Sequence, residues 1–229
     1  MKEKVTQTIL EDIPYKGESF SVQYPAFKGT FGNVADKINE ANLSRPTSAQ
    51  TASLVYDAFQ NSKGKYESEI IKTLKNNWFW EYTGNLYLPK SNEEINNGVI
   101  LETNPSIVNG RISMDKNSLI KRLNENDSDV KFVPFGYKTG EQTVLELIKN
   151  PYIVERYGEE GAEKIAEIAS KYKKNPKLWS FNSVDEEKVR VSAFDCGWFF
   201  GVRLFVDGGG WYDDGDGHAF GVCAPEKNK

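Results

Sequence analysis

The sequence predicts an α+β fold, a mostly antiparallel sheet with helices packed on one face, in a single compact domain spanning 1–229. Three observations predict it. Apolar residues recur at helical spacing in several separate stretches, strand-like alternation and turn signals fall between them, and the two kinds of element follow no regular βαβ rhythm. At 229 residues with 13% aromatic side chains, the chain can bury about 70% of its unfolded surface without disulfide or metal staples.

Ser19–Tyr24 alternates polar and apolar side chains, the period of a half-buried strand, and Pro25 is expected to end it. Phe31, Val34, Ala35 and Ile38 then define a short amphipathic helix that stops near Asn42. Thr47 and Gln50 form a Thr-x-x-Gln capping box, which satisfies orphan amides at a helix start, and Ala52, Val55, Tyr56 and Phe59 follow as the apolar stripe. Lys63-Gly64-Lys65 breaks the pattern before a second stripe of Ile70, Ile71, Leu74 and Trp78. The short connection makes the two an antiparallel helical hairpin.

Leu86–Leu88 and Val99–Leu101 read as paired strands joined by a long polar loop. Ile107 and Ile112 bracket Asn109-Gly110, the dipeptide that best adopts the positive φ angles of a tight hairpin turn. A helix is expected near Asn117–Leu123, and the polar run Asn124–Asp129 is where an internal boundary would fall. Val130–Phe135 reads as a buried strand. A helix over Glu141–Lys149 is stopped by Pro151, because a residue before proline disfavours helix. Glu159–Tyr172 is an amphipathic helix with glutamates leading and lysines closing, as the helix dipole favours. Strands at Val189–Phe194, Phe199–Val206 and Ala219–Val222 complete the pattern.

The formal charge is −4. Phosphate contacts dominate nucleic-acid affinity and demand a basic face. The one basic cluster, Lys171, Lys173, Lys174 and Lys177, follows a helix end, where cations balance the dipole, so nucleic acid is not an expected partner. Met1–Gln7 lacks the apolar stretch of a secretory signal, and no run of about 18 apolar residues suits a membrane helix. A soluble, cytoplasmic protein is expected. Cys196 and Cys223 are too few for a disulfide framework or a paired-cysteine zinc site and are expected as buried thiols.

The unusual segment is Asp207–His218, with five glycines, four aspartates and the only histidine of the chain. As a plain hairpin loop it would use glycine and aspartate for their turn geometry. As a divalent-cation site it would use Asp213, Asp214 and Asp216 as ligands, with His218 a fourth. The spacing fails the EF-hand template, because Tyr212 and Cys223 fall where acids belong. As a phosphate cradle it lacks both a following helix and the expected lysine. Three aspartates nearby would favour the charged form of His218, which weakens it as a neutral base toward Cys223 or a serine. The aromatic clusters Trp78-Phe79-Trp80-Tyr82 and Trp198-Phe199-Phe200 with Trp211-Tyr212 fit core filling first and a ligand platform second.

No complete catalytic or cofactor signature is present. The leading functional expectation is a non-enzymatic binding or interaction protein whose protein or small-molecule partner meets Trp211, Tyr212 and His218 in the 207–218 loop. The rival is a metal-assisted hydrolase in which the aspartates of the same loop hold a divalent cation and His218 assists proton transfer.

Overall fold

One large sheet organises the protein, a computed structural model of which describes residues 7–197, 202–210, 212–213 and 215–224. Strands β1 (Thr8–Tyr15) and β2 (Glu18–Gly29) form an antiparallel hairpin. Helices α1 (Phe31–Glu40), α2 (Ser48–Gln60) and α3 (Lys65–Asn76) follow. Next come strands β3 (Trp78–Leu88) and β4 (Gly98–Thr103), the small hairpin β5 (Ser106–Val108) and β6 (Arg111–Ser113), helix α4 (Lys116–Asn124) and strand β7 (Val130–Pro134). The remainder is β8 (Gly140–Glu141), α5 (Val144–Leu147), α6 (Pro151–Ser170), β9 (Lys177–Trp179), β10 (Lys188–Asp195), β11 (Phe205–Gly210) and β12 (Gly217–Val222). In the sheet the order is β1-β2-β12-β3-β10-β11-β9-β8, with β4 on β3 and β7 on β4. Only the β3–β12 and β9–β11 pairings are parallel among the described residues, so the mostly antiparallel α+β architecture holds.

The central strand is β3, buried along almost its whole length. Phe79 and Tyr87 face a core built with α2, α3, α5 and α6, which form the main helical layer. Trp80 and Tyr82 face the other way onto α1, and Leu86 and Leu88 onto α4, so the second face carries a smaller cover.

Several local expectations are met. Thr47 and Gln50 make both bonds of the capping box. Asn109 and Gly110 take φ of 51° and 74° in the β5–β6 turn, and Leu86 pairs with Ile100.

Others are corrected. Strand β2 runs on past Pro25, which sits where the β2–β12 register shifts between Phe27 and Gln23, an irregularity of the kind that tolerates proline in a strand. Trp78 opens β3 instead of closing the helix before it. The helix expected over Glu141–Lys149 is a single turn, held by a second capping box of Thr143 and Glu146. Lys177 lies in β9, away from the lysines that close α6.

Helix α6 begins earlier than Glu159, capped by Asn150 with Pro151 in its first turn. Gly158 interrupts it at φ 74°, ψ 168°, a conformation essentially closed to other residues. The break lets Arg156 and Tyr157 turn into the sheet while Ala162, Ile165 and Ala169 pack in the main core.

Arg156 and Glu81 form a fully buried ion pair. Tyr157 Oη donates to both Glu81 oxygens at 3.1 and 2.9 Å, and Arg156 also donates to Ser48 Oγ (3.1 Å), Tyr152 Oη (3.1 Å) and the Asp207 carbonyl (2.9 Å). Tyr152 Oη donates to Asn85 Oδ1 at 2.6 Å, and Asn85 Nδ2 to Ser192 Oγ at 2.9 Å. Burial pushes the Glu81 carboxyl up, while Arg156 and the hydroxyls of Tyr157 and Ser48 draw it back down.

Two stability outcomes follow, both read from urea unfolding. Gly158→Ala is expected to cost about 1–3 kcal/mol through backbone strain alone, since a Cβ there meets nothing within 4 Å. Glu81→Gln removes the counter-charge of a buried guanidinium and is expected to cost about 3–5 kcal/mol; a loss below 1 kcal/mol would mean Arg156 finds another partner.

Candidate functional site: an acidic, aromatic cleft

The segment Asp207–His218 is not one loop. Asp207–Gly210 belongs to β11 and Gly217-His218 opens β12, which leaves only 211–216 as the connection. The glycines of β11 answer to close packing: a Cβ on Gly208 would collide with Tyr152 Oη, and one on Gly210 with Val191. Gly208 also offers its carbonyl to Tyr87 Oη at 2.9 Å.

Of the anticipated site residues, Tyr212, Asp213, Asp216 and His218 are described, each in its own surroundings. Tyr212 packs its ring edge on Phe31 at 5.9 Å. Asp213 is exposed, and Asp216 pairs with Lys28 at 2.7 Å. His218 sits across from Lys28 on β2, with Nδ1 buried and without a hydrogen-bond partner among the described residues. Its pKa is lowered, first by burial and then by Lys28, so the charged form expected from the neighbouring aspartates is not the favoured one. Trp211 and Asp214 lie outside the described residues, as do Trp198, Phe199 and Phe200. Among the described residues no three His, Cys, Asp or Glu side chains are grouped to hold a metal ion. Cys196 is buried with its thiol pushed up to about 11, whereas Cys223 is only partly covered, contrary to expectation.

The side chains that do converge lie at the other end of β11. The pairings Ala193–Asp207 and Asp195–Phe205 between β10 and β11, with Asp207–Trp179 and Phe205–Lys177 between β11 and β9, set six side chains on one face in two rows. The alternate residues Phe194, Val206 and Leu178 fill the core behind them. A cleft of about 590 Å³ opens over this face, lined by Trp179, Phe181, Asp195, Phe205, Asp207 and backbone of Gly197 and Gly209. Its size suits a small organic ligand.

Each aspartate is tied by one oxygen to the amide two residues on, Asp195 Oδ1 from Gly197 at 2.6 Å and Asp207 Oδ1 from Gly209 at 2.7 Å. Neither takes part in a salt bridge among the described residues. Burial pushes the Asp195 carboxyl up to about 6, and Asp207 adds repulsion. Burial raises Asp207 as well, against the Gly209 amide and the charge of Arg156. Beside them Trp179 is 51% exposed, a large aromatic left half in water. A second cleft, of about 630 Å³ beside Leu145, is lined by Lys138 and Glu146, paired at 2.7 Å, and by Lys149.

Asp195, Trp179 and Phe181 escaped the sequence reading. A three-residue strand after Pro176 is too short to show alternation, and a lone aspartate closing an apolar strand looks like a strand end. Matched against protein-family models, curated proteins and solved structures, the chain finds no counterpart in any of them.

A carboxyl whose folded-state pKa is raised holds its proton more tightly in the folded protein, so ionising it costs stability as pH climbs from about 4 through 6. Asp195→Asn is therefore expected to stabilise the protein at pH 7 by about 1–3 kcal/mol and to change little below pH 4. Urea titrations at the two pH values check this; equal effects at both would show that Asp195 is not desolvated.

Proposed function

We propose that the chain is a non-enzymatic binding protein whose small-molecule site is the cleft over β9, β10 and β11. The observation that carries this reading is the union, in one concavity, of a half-exposed indole, two further rings and two carboxyls with no counter-ion bonded to them. Each is costly to leave in that condition. Exposed aromatic surface forgoes about 25 cal/mol per Å², and the carboxyls repel one another. A ligand relieves both costs at once. The site overlaps the anticipated surface only at Asp207 and Gly209, and it lies on strands, which hold side chains more firmly than a loop does.

The rival reading, a metal-assisted hydrolase on Asp213, Asp214 and Asp216 with His218 moving a proton, has less support. Lys28 already occupies the charge of Asp216, and Asp213 points into solvent. Native mass spectrometry separates the two: a metal mass lost with EDTA and in Asp213→Ala/Asp214→Ala/Asp216→Ala would favour the hydrolase.

For the binding reading, saturation-transfer NMR on a mixed fragment library is expected to give hits with the wild type that vanish in Trp179→Ala. Their saturating concentrations should raise the melting temperature, since a ligand at about 100 times its Kd adds about 2.7 kcal/mol. Hits indifferent to Trp179→Ala would place binding elsewhere and refute this assignment.

A further inference from the structure

The chemistry of the cleft narrows the ligand class. We propose that it takes a small organic cation, an alkylammonium or quaternary ammonium compound, with the rings of Trp179, Phe181 and Phe205 against its carbons and Asp195 and Asp207 against its charge. This rests on the binding reading above and goes one step beyond it.

Among the described residues the side chains that line the cleft with a formal charge are both acids, and each of the three aromatic rings has a negative face that attracts a cation. An anion is repelled. A neutral polyol leaves the two carboxylates facing each other unrelieved. A bare divalent ion finds too few oxygens, because calcium wants six to eight and each carboxylate has one oxygen engaged by a backbone amide. An organic cation satisfies charge and rings together. The protein already shows the contact, with Lys177 Nζ 4.1 Å from the Trp179 ring centroid and Lys188 and Arg190 at 5.9 and 5.7 Å from that of Phe181.

Protons compete with such a ligand. Asp207 on β11 is the titratable group that acts on Asp195, and Arg156 from α6 acts on Asp207. Cys196, just past the end of β10, and Tyr172, after α6, are both held neutral by burial. Lys177 on β9 sits over Trp179. Cation binding favours ionised Asp195, so affinity climbs as pH rises through its free value near 6.

Isothermal titration of the full chain with choline, with its neutral carbon isostere dimethylbutanol and with methyl glucoside tests the assignment. Choline is expected to bind about tenfold more tightly at pH 7 than at pH 5, as the ionised fraction of a group near 6 changes. The isostere should bind at least about tenfold more weakly than choline at pH 7, a loss of one power of ten in Kd. Asp195→Asn should flatten the pH profile, and Trp179→Ala should weaken choline at both values. If the isostere or the glucoside binds as well as choline and depends on Trp179, the cleft binds ligands but not through charge, and the cation assignment falls alone. If no probe binds at ~10 mM, weaker than any Kd near 1 mM, the cation assignment and the binding reading fall together. Choline binding that ignores both substitutions also overturns it.

Discussion

Arg156 and Glu81 meet where the sheet is interrupted. One edge of β3 is shared, with β12 alongside Trp78 and Phe79 and β4 alongside Thr83–Leu88. Between them the chain before α2 enters the gap, where Tyr82 N–H donates to the Pro46 carbonyl at 3.1 Å and Asn104 N–H to the Tyr82 carbonyl at 2.8 Å. Ser48, the first residue of α2, touches Glu81 and Thr83 from there. A charge pair shut away from water costs several kcal/mol per ion in lost hydration, so it persists only where every partner is positioned. Here the partners come from α2, β3, α6 and β11, and fixing them fixes how those elements sit. The donation from Arg156 to the Asp207 carbonyl carries that constraint to the strand that bears the cleft.

Strand β11 shows what the constraint demands. Three consecutive glycines are poor strand formers, because they lose the most backbone entropy and bring no side chain to pack. They stand there because Tyr152 and Tyr87 bring their hydroxyls against Gly208, and Val191 closes on Gly210. Next to the packed side chain of Val206, the core-facing side of β11 is thus given over at Gly208 to backbone contact. Its other side keeps Asp207 and Phe205 directed into the cleft. No helix among the described residues is long and apolar enough to cross a membrane, and the apolar surface of the chain goes instead into the three packed clusters around β3.

Local rules made much of this fold legible. The capping box at Thr47, the turn at Asn109-Gly110 and the stripe of α2 each depend on residues within a few positions of one another. The polar stripe Glu81, Thr83 and Asn85 was not legible: polar side chains at every second place in an aromatic strand signal either an outward face or a buried network. Arg156, from which the answer comes, lies 75 residues away from Glu81. The cleft was harder still. Its residues come from three strands and the segment after β9, and Asp195 and Asp207 share a face only because of the β10–β11 register. Sequence composition drew attention instead to the denser run of aspartates after β11, where Asp213 is exposed and Asp216 is already paired with Lys28. Density of acids along a chain reports turn chemistry more readily than it reports a site.

Glu81 and Asp195 make the distinction in one molecule. Both are acids removed from water, and burial raises both. Glu81 receives a guanidinium, a phenol and a serine hydroxyl, so its ionisation is answered inside the fold and has no use for anything from outside. Asp195 receives one backbone amide and a second acid as neighbour, on a face that opens to solvent between aromatic rings. A buried acid with every partner supplied locks elements together; a half-buried acid with its partners withheld is a debt the fold leaves open. Of the two, only Asp195 is left with an incomplete partner set, and it is this, more than the burial, on which the proposed ligand site rests.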